Sequence, residues 1–265
     1  MTGLPVGAGW IGARTPEVVV VIPCYDEELR LHPEDFAALV ARDDIAAIFV
    51  DDGSTDGTVE VLHRIQATYP GSIEVITRDR NEGKAEAVAV GLRAALDAGA
   101  TWVGYLDADL AVPVEEWLRV ADRRSDDVDG ILASRVRLLG RSIDRRLYRH
   151  LIGRIFATYA SALLRLPVYD TQCGAKVFRA SPRLSAALDE PFTTRWLFDV
   201  EILARLLYPL APLPGLDPGR LVEVPLRSWK DVAGSALAPS SAPQIARQVV
   251  RLTRDVRRRQ RACAR

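Results

Sequence analysis

The stretch YLDADLAVP, residues 105–113, places two aspartates, Asp107 and Asp109, directly after an apolar run. Side chains at positions i and i+2 of an extended strand point to the same face, so the two carboxylates converge and repel each other. A hard divalent cation, Mg²⁺ or Mn²⁺, would relieve that repulsion and bring phosphate oxygens into the site. An isolated Asp-x-Asp is more often a solvated acidic turn, but its position at the end of a buried strand favours the metal site.

Three earlier strand-like runs also end in unusual polar clusters, in the stretches EVVVVIPCYDEE, IAAIFVDDGSTDG and GSIEVITRDRNEGK. Helix-like stretches separate the runs, and this alternation predicts a parallel sheet of right-handed βαβ units. In open sheets of this kind the ligand site lies beyond the carboxyl ends of the strands. Four strands therefore deliver polar groups to one edge of the sheet.

Asp51 and Asp52 end the second of these runs. A tight turn explains the residues that follow, with Asp56 and Thr58 as capping groups of the next helix. It does not explain two adjacent acids at the end of the strand itself. A carboxylate can accept hydrogen bonds from a nucleobase N–H or a ribose hydroxyl, so we expect at least one of the pair to bind a nucleotide.

NEGK places Gly83 and Lys84 at the start of a predicted helix. Backbone N–H groups, the helix dipole and the lysine together suit an anionic group. The glycine spacing of a Walker sequence is absent.

The loop after the first strand argues against a nucleotidyltransferase. Such an enzyme usually carries a glycine-rich, basic loop there, whereas this chain has the acidic PCYDEE.

The composition excludes several classes of protein. Lys+Arg and Asp+Glu both number 35, so no global field favours nucleic acid. Three scattered cysteines indicate neither a disulfide framework nor a zinc site. No signal peptide is recognised, and no stretch approaches the ~18 apolar residues of a membrane span. We expect a cytoplasmic protein, either soluble or attached peripherally to the inner face of the membrane.

The end of the chain, QIARQVVRLTRDVRRRQ, predicts a basic amphipathic helix. Its apolar face comprises Ile245, Val249, Leu252 and Val256. Such a helix can lie on an anionic membrane with its apolar face at the headgroup boundary. The alternative is that this face packs on the protein's own core or on a partner.

The ordered set VVVVIPCYDEE, VDDGSTDGT, RNEGKAEAV and YLDADLAVP resembles the family 2 glycosyltransferases of GT-A fold. DTQCGAKVF, FDVEIL and VEVPLRSWKDVAGS are similar to the subgroup that makes polyprenyl-phosphate sugars, especially dolichyl-phosphate β-glucosyltransferases and, beside them, dolichyl-phosphate mannose synthases. The resemblance implies an α/β fold with a Rossmann-like, mostly parallel central sheet flanked by helices and a C-terminal, acceptor-side helical extension. It divides the chain into a tail (1–16), the GT-A domain (17–236) and the basic amphipathic helix (237–265).

On the donor side, the resemblance implies a nucleotide-binding loop, aspartates at the uracil, a donor-side lysine and an acidic metal motif that holds Mg²⁺ or Mn²⁺. The matching residues are, in that order, Pro23, Tyr25 and Glu27; Asp52 with Asp51 beside it; Lys84; and Asp107 with Asp109. Asp107 serves the donor as well as the metal.

On the acceptor side, Arg135 and Arg149 resemble arginines that hold the acceptor's phosphate. Two further residues do not belong to the acceptor phosphate: the resemblance places Gln172, with the donor-binding residues, in the loop that lines the sugar pocket, and it matches Asp199 to a catalytic acid near the reaction centre.

Three features depart from the pattern. Ala111 stands where the mannose synthases carry glutamine, Ala236 stands where the glucosyl subgroup has a basic residue, and the transmembrane anchor common in the subgroup is not found.

The expected function is inverting transfer of a hexose from a nucleotide sugar to a polyprenyl phosphate. UDP-glucose or a relative is expected ahead of a GDP-sugar. A lipid phosphate is already an anion, whereas a hydroxyl acceptor would require Asp199 as general base. Two alternatives stay open: the same donor chemistry with a soluble small-molecule or glycan acceptor, and a degenerate transferase that holds nucleotide without turnover. The oligomeric state is not defined by the sequence.

Overall fold

The computed structural model of the protein describes residues 16–144, 147–210, 212–232 and 242–263, with side chains for all of these except 147–152 and 242. The chain divides into two compact units. The first comprises residues 16–110 with Val177–Ala180, and the second comprises residues 111–176 with 181–263. The predicted boundaries at residues 16 and 236 border on or fall within segments outside the described residues and stay predictions.

The first unit is built from alternating strands and helices, as the sequence predicts. Its elements are β1 (Val18–Cys24), α1 (Ala37–Val40, after a 3₁₀ turn at Pro33–Phe36), β2 (Ile45–Asp51), α2 (Thr58–Thr68), β3 (Ile73–Thr77), α3 (Lys84–Asp97) and β4 (Trp102–Leu106). β1 pairs in parallel with both β2 and β4, and β2 pairs in parallel with β3. β2 and β4 are buried along their whole lengths, and β1 is buried except at Pro23, as expected of strands covered on both faces.

A glycine lets α3 approach this sheet closely. A Cβ atom at Gly91 would lie 2.3 Å from Cγ1 of Val21 on β1 and 3.0 Å from a methyl of Val50 on β2. Any larger side chain at this position would push the helix away from the strands. The close approach fixes the start of α3, where Lys84 lies, relative to the carboxyl ends of β1 and β2.

The second unit contains most of the remaining elements. They are α4 (Val114–Ala121), β5 (Gly130–Ser134), β6 (Ser142–Ile143), α5 (Leu147–Leu164), β7 (Ala175–Arg179), α6 (Pro182–Asp189), α7 (Phe198–Leu207), β8 (Leu221–Pro225), β9 (Ser228–Trp229) and α8 (Ala242–Cys263); β7 has residues in both units. β5 pairs in parallel with β8, and β6 with β9. Within the first unit, the order of the strands β1 to β4 is β3-β2-β1-β4.

Helix α8 packs on helices α5 and α7 of its own unit. Leu252 and Val256 are fully buried, and Nε2 of Gln260 donates a hydrogen bond to the Leu163 carbonyl at 2.9 Å. Ile245 and Val249 are half-buried. Of the two interpretations of this helix, the structure shows packing on the protein's own core. In the part of the chain that the structure describes, no helix is both long enough and apolar enough to cross a bilayer.

Candidate active site

The loops that follow β1 and β2 hold each other in place through hydrogen bonds. The backbone N–H of Asp26 donates to Oγ of Ser54 at 3.0 Å, and the N–H of Thr55 donates back to Oδ1 of Asp26 at 2.9 Å. The N–H of Glu27 donates to Oγ1 of Thr58 at 2.8 Å. Asp26, Ser54, Thr55 and Thr58 therefore hold these two loops against each other.

Thr58 does not cap α2, contrary to the prediction. Gly57 occupies the N-cap position and Thr58 is the first helical residue. Asp56 does accept from the Thr58 N–H, at 3.0 Å. The hydroxyl of Thr58 serves the Glu27 N–H instead, which the sequence pattern alone could not reveal.

The predicted nucleotide-binding loop carries one exposed ring and one half-buried acid. Tyr25 is 42% exposed beside the half-buried Pro23. Glu27 accepts a hydrogen bond from Arg30 at 3.0 Å. Burial raises the pKa of Glu27, the Arg30 charge opposes that rise, and the negative charge of Asp109 adds to it. Glu27 therefore lies close enough to Asp109 for the two negative charges to interact.

Asp51 and Asp52 are both buried and both accept hydrogen bonds from the protein. Asp51 accepts from the backbone N–H groups of Gly53 and Ser54, each at 3.2 Å, and so closes the turn after β2. This internal role was not anticipated from the sequence. Contact of Asp51 with a nucleotide stays a prediction.

The carboxylate of Asp52 organises the loop before α3. It accepts from Nη1 of Arg78 at 2.5 Å and from the backbone N–H groups of Glu82 at 3.2 Å and Gly83 at 2.6 Å. Arg78 also pairs with the Glu82 carboxylate. The acid predicted at the uracil therefore also anchors NEGK, and its contact with a base stays a prediction.

Lys84 is the positive group beside the paired aspartates. Its Nζ lies 2.5 Å from Oδ1 of Asp107, and the two side chains are 36% and 29% exposed. Gly83 adopts a φ of 100° just before α3, a backbone conformation that favours glycine. The lysine predicted on the donor side thus lies beside the first of the two aspartates predicted to bind a metal, and both are partly exposed.

The chemistry of Asp107 and Asp109 fits a hard divalent cation. Both follow β4, both are partly exposed, and the buried Ala108 separates them. Across the described ranges, no three His, Cys, Asp or Glu side chains gather into a complete metal site. Two carboxylates form a partial ligand set for Mg²⁺ or Mn²⁺, which commonly take their remaining ligands from substrate phosphates and water.

In the second unit, Arg135 follows β5 and forms a two-pronged ion pair with Asp170. Its Nε and Nη2 donate to the two carboxylate oxygens at 2.6 and 2.9 Å. Burial acts to raise the pKa of Asp170, but the Arg135 guanidinium outweighs it and holds that pKa well below its usual range. The guanidinium also lies 5.5 Å from the centroid of the Trp229 ring. The contacts with Asp170 and Trp229 therefore fix the position of the Arg135 guanidinium.

A second arginine, which the sequence analysis did not single out, lies in the same region. Arg154 on α5 stacks on the ring of Tyr169 at 3.7 Å and donates to the Tyr169 carbonyl at 2.9 Å. Arg135, Arg154, Asp170 and Gln172 line one small pocket. The side chain of Arg149 lies outside the described residues, although its backbone belongs to α5. Arg154 follows Arg149 by five residues on the same helix.

Gln172 connects this pocket to an exposed tryptophan. Its Nε2 donates to the carbonyl of Trp196 at 3.2 Å, and its backbone N–H donates to Asp170 at 3.1 Å. Trp196 is 46% exposed. The DTQCG loop is thereby held against the segment that precedes α7.

Asp199 is buried and paired with a lysine that the sequence analysis passed over. Nζ of Lys176 lies 2.5 Å from Oδ1 of Asp199 and donates to the Cys173 carbonyl at 2.7 Å. Lys176 is fully buried on β7. The sequence could have indicated this pair, because GAKVF places a single lysine in an apolar run and a lysine inside a buried strand requires a charged partner. The Asp199 carboxylate is therefore held within the protein by a charged partner.

The structure is a mostly parallel α/β fold with polar clusters at its strand ends, and comparison with known proteins gives the family of the chain. Residues 19–183, more than half of the chain, match the model of the family described as "Glycosyl transferase family 2". The chain therefore belongs to glycosyl transferase family 2.

Two curated relatives extend this likeness. A dolichyl-phosphate beta-glucosyltransferase of Dictyostelium discoideum is 29% identical over 88% of this chain and 72% of its own length. A polyprenol monophosphomannose synthase of Mycolicibacterium smegmatis is 24% identical over 73% of both chains.

A solved structure shares the fold. Glucosyl-3-phosphoglycerate synthase from Mycobacterium tuberculosis, in complex with uridine diphosphate, has a TM-score of 0.64 at 17% identity, over 97% of this chain and 85% of its own. The same synthase has also been solved with Mn²⁺, UDP-glucose and phosphoglyceric acid. The predicted GT-A fold is confirmed.

Proposed function

We propose that this glycosyltransferase moves a hexose from a UDP-sugar to a polyprenyl phosphate, with inversion at the anomeric carbon and with Mg²⁺ or Mn²⁺ as cofactor. The observation that carries the donor half is the ion pair of Lys84 with Asp107 at the end of β4, beside Asp109. The names of the two curated relatives support the acceptor half.

Asp107 and Asp109 would hold the metal ion. When bound, a divalent cation supplies positive charge to a diphosphate leaving group. Lys84 then offers its ammonium to the same diphosphate, since both carboxylates would be engaged by the cation. The start of α3 adds the positive end of a helix dipole. These charges stabilise the UDP that leaves as its bond to the anomeric carbon breaks.

The environment of Asp199 favours a phosphate as the nucleophile. A phosphate oxygen is already anionic and forms the new bond to the anomeric carbon without losing a proton, so no general base is needed. Asp199 is buried and paired with Lys176, an arrangement that holds the carboxylate in place and satisfies its charge. A hydroxyl acceptor would need a base that is free to take a proton.

A soluble phosphorylated acceptor is the second candidate. The structural neighbour has been solved with UDP-glucose and phosphoglyceric acid, a small phosphorylated metabolite. Arginines at the pocket of Arg135 and Arg154 suit either kind of phosphate.

The deciding experiment measures nucleotide release from a panel of UDP- and GDP-sugars with Mn²⁺, adding either a short polyprenyl phosphate or 3-phosphoglycerate. We expect UDP release that depends on the polyprenyl phosphate. Release only with phosphoglycerate would transfer the assignment to the soluble acceptor. Nucleotide binding without release under any condition would identify a degenerate transferase.

A further inference from the structure

A tight turn in the second unit displays two leucines to solvent. The N–H of Arg141 donates to the carbonyl of Leu138 at 3.1 Å, and Gly140 has a φ of 77°. Leu139 is fully exposed at the corner of the turn, and Leu138 is 49% exposed. Turn corners are usually occupied by Gly, Pro, Asn, Asp or Ser. Two adjacent exposed leucines therefore indicate a surface that binds an apolar partner, such as the interior of a lipid bilayer.

The turn rests on a fixed stem. The N–H of Ser142 donates to the Arg227 carbonyl at 2.8 Å, and β6 then pairs with β9. Ile143 and Trp229 are buried in this pairing. The leucines thus project from a hydrogen-bonded base, and their exposure is a feature of the folded unit.

The sequence around the leucines is basic. Residues 136–149 contain five arginines and a single acid, Asp144. Arg137 and Arg141 flank the two leucines, the first exposed and the second half-buried. Apolar side chains within a basic segment are the combination found at anionic lipid surfaces, where leucines enter the acyl boundary and arginines meet phosphate headgroups.

We propose that the segment 136–141, named here the leucine turn, docks the protein on an anionic membrane surface. Helix α8 is a weaker candidate for this role because Leu252 and Val256 are already buried in the protein. The inference goes beyond the proposed transfer reaction, since it names where the protein would meet a bilayer, whichever phosphate is the acceptor.

The test is co-sedimentation of the full chain with phosphatidylcholine vesicles, with and without phosphatidylglycerol, at low and high salt. We expect binding to the anionic vesicles that weakens at high salt. The double substitution Leu138→Ser with Leu139→Ser should reduce it by about tenfold or more, because two apolar anchors are lost. Replacement of Arg137 and Arg141 by glutamine should remove most of the salt dependence.

Leu29→Ser is the matched control, because Leu29 is also highly exposed but lies in the first unit, in the acidic PCYDEELR segment. That variant should bind vesicles like the unchanged protein. Wild-type protein that stays in the supernatant, or equal binding by the double variant, would overturn the inference. So would a concentration-dependent dimer that the double variant abolishes, because a second copy would then cover the leucines.

Sugar transfer in the absence of vesicles should not depend on the leucine turn. UDP release with a short polyprenyl phosphate in the absence of vesicles should be the same for the double variant and the unchanged protein. UDP binding by both reports that the variant is folded.

Discussion

At the residue scale, Asp52 shows why carboxylates at strand ends are difficult to assign from sequence. Its position predicted a nucleotide contact, and its hydrogen bonds to Arg78, Glu82 and Gly83 show an anchor for the loop before α3. A carboxylate offers about four acceptor sites, so an internal role and a ligand role can coexist. Asp107 and Asp109 differ because both remain partly exposed.

Asp109→Asn should therefore cut metal-dependent turnover by orders of magnitude, since loss of a central electrostatic stabiliser typically costs about 3–4 kcal/mol in the transition state. Turnover is followed as UDP release over a Mn²⁺ titration. Asp97→Asn, at an exposed aspartate at the end of α3, is the control and should behave like the unchanged protein. Full activity of Asp109→Asn, together with resistance to EDTA, would remove the metal role.

The pair of Arg135 and Asp170 makes a prediction about acid stability. Arg135 holds the pKa of Asp170 below its unfolded value despite burial, so the unfolded state binds more protons in acid. The stabilisation is present above the unfolded pKa and is lost as pH falls through the folded pKa. Urea unfolding measured between about pH 2 and 5 should show a shallower dependence on pH for Asp170→Asn. Parallel curves for the two proteins would contradict the assignment.

Lys176 and Asp199 should stabilise the fold as a pair. Removing one partner of a buried ion pair leaves an uncompensated charge, which typically costs about 3–5 kcal/mol. We expect Lys176→Met to lower the free energy of unfolding by that order in urea titrations. The double variant Lys176→Met with Asp199→Leu should recover much of the loss. Additive losses in the double variant would show that the two side chains are not coupled.

At the scale of elements, the parallel strands and the helices of the first unit could be predicted because apolar runs and polar strand ends alternate there. Strand β5 and helices α4 and α6 were not predicted. GILAS, the sequence of β5, is short and has one β-branched residue, so periodicity carries little signal. Helix α6 did carry a signal, Ser181 as N-cap before Pro182. The stretch LVEVPLRSW reads as one strand in sequence but forms β8 and β9, with a break at Leu226–Arg227.

Helix α8 supports a segment of the candidate site. Oε1 of Gln248 accepts hydrogen bonds from the backbone N–H groups of Arg195 and Trp196, at 3.0 and 3.1 Å. Gln248→Ala should leave both amides without this acceptor and speed their hydrogen exchange. Gln260→Ala is the control, because that side chain bonds Leu163 near the other end of the helix. Unchanged exchange of residues 193–197 in Gln248→Ala would show that α8 does not hold this segment.

At the scale of the whole molecule, the sequence indicated candidate residues in both units but did not indicate the side chains that pair with them. Lys84 was predicted at the start of a helix and Asp107 at the end of a strand, and the structure has them there. Lys176, Arg154 and Asp170 were missed because each acts through a contact formed between distant parts of the chain. Periodicity and local spacing indicate which face of a helix or strand is buried. They do not indicate which side chain from a distant part of the chain contacts that face.

Apart from Gln172, the predicted donor residues lie in the first unit, and Arg135, predicted for the acceptor, lies in the second. Single substitutions should therefore change the affinity for the nucleotide donor and the affinity for the acceptor separately. Lys84→Ala should weaken UDP binding measured by calorimetry, because an ammonium beside the diphosphate is lost. Arg135→Lys should raise the apparent KM for the acceptor and leave UDP binding nearly intact. Lysine keeps the charge opposite Asp170 but lacks the guanidinium fork that suits phosphate. Equal loss of UDP affinity in both variants would move Arg135 to the donor side, and an unchanged acceptor KM would leave Arg135 only its structural pair with Asp170.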